Sequence, residues 1–496
     1  MKRTIILLFL NVLVLACQDQ NSNNLQDTER NEGAPNIVIF FTDDMGFADL
    51  GVQNQLSDVK TPNIDLLAFN GVQFTSGYVT APQCVPSRAA MATGIYQQRF
   101  GVDDNNFNPM PLDVETIAQR MQSLGYATGF VGKWHLEIDK NSKDWFKQYD
   151  PLADVANFNP KDIPLSEKKK YFPNNRGYSD TYFGYLEQFW ATYDKKGNDR
   201  PESYVSDSTY RLDAVNEASI AFIERHVNEP FYLNVAHFAP HVPLQSTAKY
   251  LARFPQNMKE RRKYALSMIS AIDDGVGMVV DKLREHGILQ NTLIFFISDN
   301  GAPLGLDMND APIEDRNEAW NGSMNTPLIG EKGMLTDGGI RVPFIMHWPK
   351  VIEQPKVISE PVISLDAVYT ALQIAGADDS TLAQLDGLDL IPAATQNSSY
   401  LNERPLYWRF WSQRAIRKGH YKYLDVGGNR QFLFDYSVTG YELEVPIEDN
   451  LDIARELEAQ LDVWESGMPR EMRIQPNSQE VRKYSHFFPF RVDVQD

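Results

Sequence analysis

The sequence predicts an α/β fold: one large domain with a mainly parallel mixed sheet flanked by helices, and a smaller C-terminal α+β domain with an antiparallel sheet. Three observations carry this. Short apolar runs rich in β-branched and aromatic residues each end in a polar or charged cluster, stretches of helical periodicity lie between them, and the texture of the chain changes near residue 400. The first run, NIVIFF, leads into Asp43 and Asp44; ATGFVG leads into Lys133 and His135; PFYLNVAHF into His241; and NTLIFFIS into Asp299 and Asn300. Between them, ETIAQRMQSLG (115–125) and MISAIDDGVGMVVDKLREHG (268–287) read as helices. Alternating strands and helices build parallel sheets, whose ligands sit beyond the carboxyl ends of the strands. Four strands therefore deliver polar residues to one rim, and a shared site is expected there. After residue 400, YWRFW, QRAIRKGHYKYLD and NRQFLFDY read as short antiparallel strands and NLDIARELEAQLDVWESG as a helix, which sets the domains at 36–394 and 395–496.

The 496 residues carry 47 Lys and Arg against 66 Asp and Glu, a formal charge of −19 that repels nucleic acid and anionic bilayers at long range. No nucleic-acid partner is expected, and a polyanionic substrate needs a local cationic pocket. Two basic clusters, EKKKY (167–171) and KERRKY (259–264), are candidates, although charge runs are usually solvated faces. At the N-terminus, Lys2 and Arg3 precede the apolar run IILLFLNVLVLA and Cys17, the pattern of an export signal over 1–17 that is too short to span a membrane. Ala16 before Cys17 resembles the lipobox of bacterial lipoproteins, where the signal is cut before a lipidated cysteine; a plain secretory signal is the alternative. Either takes the protein out of the cytoplasm. The polar stretch 18–35 reads as a flexible tether, and membrane contact is expected only through a lipid on Cys17, at the periplasmic or outer surface.

Export uses one of the two cysteines and leaves Cys84 without a disulfide partner. In APQCVPSRAAMATG, Pro86 falls in a first helical turn and Gly94 ends the helix. A cysteine at a helix N-terminus near Arg88 is expected to have a lowered pKa and to be open to reaction. The acids Asp43, Asp44 and Asp299, with Asn300, offer only oxygen ligands, which suits Ca²⁺ or Mg²⁺ and excludes a thiolate or imidazole zinc site.

The string C-x-P-S-R followed by A-A-x-x-T-G resembles the signature of the type I sulfatases, within the alkaline phosphatase superfamily. PNIVIFFTDDMGFADLG, TPNIDLLAFNGVQFTSGYV, GYATGFVGKWH, APHVPLQ, FFISDNGA and GEKGMLTDGGIRVP are similar to further blocks of that family in the expected order, and AIRKGHYKYL to its C-terminal subdomain. The resemblance spans about residues 35 to 470. Ile329 and Glu331 depart from it, standing where family members often carry arginine and glycine.

The resemblance implies that a maturation enzyme oxidises Cys84 to formylglycine. Its hydrate is a geminal diol: one hydroxyl attacks sulfur and releases the alcohol, and the second, once deprotonated, expels sulfate and regenerates the aldehyde. It further implies Ca²⁺ rather than Mg²⁺ on Asp43, Asp44, Asp299 and Asn300, with an oxygen of modified residue 84 completing the shell. Arg88 would hold the diol and Asp299 take its proton. Lys133 and Lys332 would clamp the sulfate, and His241 protonate the departing alcohol. His135 would help remove the second diol proton, and the two histidine roles are interchangeable at this point. His237 reads as a core or supporting residue, and His226, His286, His347, His420 and His486 as structural or surface groups. The aromatic run YFGYLEQFWATY (182–193) is a candidate for sugar stacking, though such runs are more often core. Export and a surface anchor favour a sulfated polysaccharide, of algal ulvan or carrageenan type or a glycosaminoglycan, over an aryl sulfate. The alternatives are a phosphonate or phosphodiester hydrolase of the same superfamily and a non-catalytic lipoprotein that binds sulfated glycan.

Overall fold

A computed structural model describes residues 33–152, 154–314, 319–470 and 475–488. The export signal, Cys17 and most of the tether lie outside the described residues. Among those described, no helix is long and apolar enough to cross a membrane.

Ten strands form one sheet, in the order Lys356–Ile358, Val72–Phe74, Phe344–His347, Thr292–Ser298, Asn36–Thr42, Phe231–Ala236, Ala127–Gly132, Asp180–Tyr185, Gln188–Tyr193, Asp199–Ser206. Its centre, from Thr292–Ser298 to Asp180–Tyr185, is parallel. Phe344–His347 and the two strands after Asp180–Tyr185 add antiparallel pairings on either side. Every residue of Asn36–Thr42 and Thr292–Ser298 is buried, because helices cover both faces, and this is why these strands read as unbroken apolar runs.

The pleat divides each strand between two cores. Ile37, Ile39 and Phe41 pack with Leu293, Phe295 and Ile297 beneath the helices Cys84–Thr93 and Ser364–Ile374. Val38 and Phe40 pack with Leu233, Val235, Ile294 and Phe296 beneath Arg211–Arg225 and Glu260–Glu285. The run 182–193 is part of this architecture. Tyr182, Phe189, Trp190 and Tyr193 are buried in an edge hairpin and are closed to a sugar. Both basic clusters are largely neutralised by ion pairs or backbone contacts. Arg261 donates to the carbonyls of Ala311, Pro312 and Trp320, and Arg262 binds Asp49 and Asp58, while Lys169 pairs with Glu202 and Lys170 with Glu167.

A separate five-stranded antiparallel sheet follows in chain order, from Leu406–Phe410 to Leu443–Val445. The helix Leu451–Ser466 covers one face through Ala454, Leu457 and Leu461. The other face, with Trp408, Phe410 and Phe434, packs on Tyr78, Leu335 and Ile363 of the large domain. Within this seam Lys422 is fully buried, 3.1 Å from Asp337 and 2.7 Å from Glu442. A buried ion pair stripped of one partner is costly because the remaining charge has no water to turn to. Lys422→Met is expected to lower the unfolding free energy by about 3 kcal/mol, read as a fall in the urea midpoint. Lys418→Met, which breaks a surface pair with Glu456, is expected to move it by less than about 1 kcal/mol.

Candidate active site

The parallel centre of the sheet brings its polar strand ends together. Asp43 and Asp44 follow Asn36–Thr42, whose last residue pairs with Ser298, so Asp299 leaves the sheet beside them. The Asp299 amide donates to the Thr42 carbonyl at 3.0 Å, and the Asp44 amide donates to Asp299 Oδ1 at 3.0 Å. Asp44 takes a left-handed backbone with φ 61°, which aspartate tolerates and which turns its carboxylate back towards Asn300 and Lys332. Lys133 follows Ala127–Gly132, and Gly132 is required before it: φ is 105°, and a Cβ would sit 1.9 Å from the Ala236 carbonyl oxygen. From there Lys133 Nζ reaches Asp43 Oδ2 at 2.7 Å.

The helix Cys84–Thr93 starts on the cysteine and ends at Gly94, with φ 75°. Four residues apart, Cys84 and Arg88 share one helix face. Cys84 Sγ lies 3.5 Å from Asp43 Oδ1, 3.8 Å from Asp44 Oδ1 and 3.2 Å from Lys332 Nζ. Arg88 meets Asp299 Oδ2 at 3.0 Å through Nε and 2.8 Å through Nη2, and donates to the Lys133 carbonyl at 3.0 Å. Lys332 Nζ also donates to Asp44 Oδ1 at 2.6 Å.

One expectation about this helix is overturned. Cys84 is only 1% exposed, and its thiol is pushed far up, first by burial and then by the Asp299 charge, with Lys133 and Lys332 opposing. Arg88 is committed to Asp299, so the cation beside the cysteine does not create a thiolate. The encoded residue is a neutral buried thiol.

The acids divide electrostatically. Burial alone would raise Asp43, yet the charges of Lys133, His241, Arg88 and Lys332 hold it well below the usual carboxylate range. Asp299 is pushed up to about 6 by burial, against the pull of Arg88. His241 donates from Nδ1 to the Val242 carbonyl at 2.6 Å, which turns Nε2 towards Asp44 Oδ2 at 3.8 Å, and with 27% of its side chain exposed it faces the mouth of the site. His135 also adopts a positive φ of 62°, sits 3.8 Å from Asp139 and keeps a buried Nδ1 without a partner. Burial holds both histidines below their ordinary pKa, His135 far below it with help from Lys133 and Arg88. His237 is a packing residue: its ring stacks on Phe40, and Nε2 bonds Asn216 at 2.9 Å.

The same residues fit a hard cation. Ligand atoms of Asp43, Asp44, Cys84 and Asp299 all lie within 4.8 Å of one another, and Asn300 Oδ1 beside them is a buried acceptor with no partner. Three carboxylates and an amide oxygen are the donor set of Ca²⁺ or Mg²⁺.

Sequence reasoning missed the wall of the site. A cleft of about 450 Å³ opens beside Lys332 and is lined also by Gln83, Trp411, Gln479 and Arg482. The last two stand on Ser478–Phe487, a helix far along the chain whose spacing carries no sign of chemistry. Glu331 is buried and explains its own departure: it pairs with Lys483 at 2.9 Å and accepts the amides of Leu304 and Gly305, fixing the cleft wall.

The comparisons with known proteins agree with this geometry. The family model for Sulfatase matches residues 35–377, the segment that supplies every side chain of the cluster around Cys84. N-acetylgalactosamine-6-sulfatase from Sus scrofa is 30% identical over 410 residues, 78% of this chain and 71% of that one. Arylsulfatase J from Mus musculus is 28% identical over 453 residues, 82% of this chain and 68% of that one. The solved structure of Ps i-CgsB in complex with k-i-k-neocarrahexaose is 29% identical, with a TM-score of 0.72 over 92% of this chain and 98% of that one. The buried acids, the cations facing them and these matches lead to one assignment: the chain belongs to the sulfatase family and is a sulfuric ester hydrolase.

Proposed function

We propose that the protein hydrolyses sulfate esters on sugars of a sulfated polysaccharide or its oligosaccharides, with residue 84 as a formylglycine made by a maturation enzyme and Ca²⁺ held by Asp43, Asp44, Asp299 and Asn300. The observation that carries the reading is a neutral, buried Cys84 enclosed by three acids and three cations, an environment with no use for a thiol nucleophile. The sugar class is supported by two relatives, one named for N-acetylgalactosamine and one bound to a neocarrahexaose. The reading includes export and a lipid anchor on Cys17.

In this reading Arg88, Lys133 and Lys332 bring three positive charges against three carboxylates, so a divalent ion makes the site cationic enough to hold a sulfate. A hydrated aldehyde at 84 supplies two hydroxyls where the thiol has one group, and Ca²⁺ polarises the oxygens it binds. Lys133 and Lys332 hold sulfate oxygens during transfer, a reaction governed by positioning and charge. Asp299, with a carboxylate oxygen within 4.8 Å of Cys84 Sγ, is the group placed to take a proton from residue 84. His241 faces the mouth with Nδ1 fixed on the Val242 carbonyl, which places Nε2 to give a proton to the departing sugar oxygen.

Release of sulfate from a panel of defined sulfated oligosaccharides tests the function, and a large preference for an aryl phosphodiester over an aryl sulfate would sink it. In the same protein the peptide spanning residue 84 is expected to carry an aldehyde by mass; cysteine throughout would undercut the mechanism. His241→Ala is expected to lower kcat on sugar sulfates by about 10²- to 10⁴-fold and far less on 4-nitrophenyl sulfate, whose leaving phenolate needs no acid. If His135→Ala shows that split instead, the histidine roles are exchanged. Ca²⁺ at 100 times its Kd is expected to stabilise the fold by about 2.7 kcal/mol, seen as a higher Tm, and Asp43→Asn to abolish the response.

A further inference from the structure

The connection from Ala127–Gly132 to Asp180–Tyr185, residues 133 to 179, begins on Lys133 and His135. It carries helices of its own, Lys143–Tyr149 and Leu165–Lys169. It also builds a small core, in which Trp145, Phe146 and Phe158 pack on Ile138, Ile163 and Tyr171. Between it and the loop 100–112 runs a groove of about 410 Å³. Trp145 and Tyr149, one turn apart on the helix Lys143–Tyr149, lie ring on ring, centroids 4.8 Å apart and planes 15° from parallel. The Trp145 indole is locked by a 2.8 Å bond to the Tyr171 hydroxyl, while Tyr149 is 44% exposed. Phe107 lines the groove too, with the Arg470 guanidinium 3.8 Å from its ring centroid.

The groove is tied to the active site by the residues between Asp104 and Asn108. Asn105 accepts the Val85 amide at 3.1 Å, next to Cys84, and donates its own amide to Gln83 at 3.2 Å. Asn108 donates to the His135 carbonyl at 3.2 Å. At about 3.5 Å per residue, Phe107 stands within about 7 Å of Asn105 along the chain. On its other side the loop carries Asp104, which accepts the Trp411 indole at 2.8 Å, and Trp411 lines the cleft beside Lys332. One loop thus joins the reacting residue to a cleft and to an aromatic groove.

We infer that this groove is a distal saccharide subsite, in which a further sugar ring of the chain whose sulfate lies at residue 84 stacks on the outer face of Tyr149, backed by Trp145. The inference rests on the carbohydrate reading above. An exposed flat ring backed by a fixed indole, with a polar rim, suits a pyranose, which offers a C–H face to an aromatic ring and hydroxyls to its neighbours. Here the rim includes Asp144, Gln148, Glu167 and Lys170. Glu167 is paired with Lys170 and Asp144 with Lys147, so a polyanion meets balanced charge on a chain of net −19.

The test compares chain lengths. In Tyr149→Ala and in Trp145→Ala/Tyr149→Ala, kcat/KM on 4-nitrophenyl sulfate is expected to be unchanged, which also reports an intact fold. On a long sulfated oligosaccharide it is expected to fall about tenfold through KM, with Tyr149→Phe retaining wild-type values. Unchanged kinetics on the long substrate, or equal losses on both, overturns the subsite and leaves the carbohydrate reading intact. A wild-type enzyme that cleaves aryl sulfate but no saccharide of any length overturns both.

Discussion

The rest of the structure depends on one constraint: Asp43, Asp44, Asp299, Arg88 and Lys133 are buried at a single point on the sheet rim, where they must satisfy one another, and Lys332 joins them from the cleft side. An ionised group in a protein interior is tolerable only when paired and hydrogen-bonded. Each element near the site meets part of that demand. The Thr42↔Ser298 pairing sets Asp43 and Asp299 side by side, and Gly132 opposite Ala236 delivers Lys133 to Asp43. The four-residue spacing of Cys84 and Arg88 then lets one helix supply both the buried thiol at the centre of the site and the partner of Asp299. The parallel sheet is the scaffold that lets distant segments meet this balance together.

Lys332 is the cation that neither the sheet nor the Cys84–Thr93 helix places. Its loop is held by the C-terminal domain, where Lys483 donates to the Lys332 carbonyl and pairs with Glu331. Gln413 donates to the Gly333 carbonyl at 3.0 Å and accepts the Leu335 amide at 2.8 Å. Farther along the same segment, Asp337 enters the buried cluster of Lys422, Glu442 and Arg341. The small domain therefore acts on the chemistry by fixing the backbone on either side of one lysine, and its helix Ser478–Phe487 supplies part of the cleft wall as well. A charged seam suits this task because an ion pair fixes direction as well as distance, whereas apolar packing permits sliding.

Much of this was legible in the sequence because the central strands are buried on both faces and end abruptly in charge. Asn36–Thr42 followed by two aspartates, and Thr292–Ser298 followed by Asp299 and Asn300, carry fold and site in the same few residues. The antiparallel C-terminal sheet was legible for a related reason, since its strands are short and separated by turns. What stayed hidden depends on long-range pairing. Lys483 gives no signal in the sequence, and Glu331 shows only as a departure from the family pattern, until the chain folds back over more than a hundred residues to pair them. The aromatic run at 182–193 reads equally well as a sugar platform or a strand pair, because composition does not reveal which face meets the core. The Cys84 pKa was misjudged because a helix N-terminus and a nearby arginine are local features, whereas burial and three acids from other segments are not.

That last difference bears on what residue 84 is for. A pocket built for a thiolate would gather donors and cations around sulfur, yet Sγ faces two carboxylate oxygens, at 3.5 and 3.8 Å, and one ammonium at 3.2 Å. Two acceptors and one donor suit a group that can both give and take hydrogen bonds, and they penalise one that carries negative charge. The arrangement of partners around Cys84 thus places a neutral residue, rather than a thiolate, at the centre of the acids and cations.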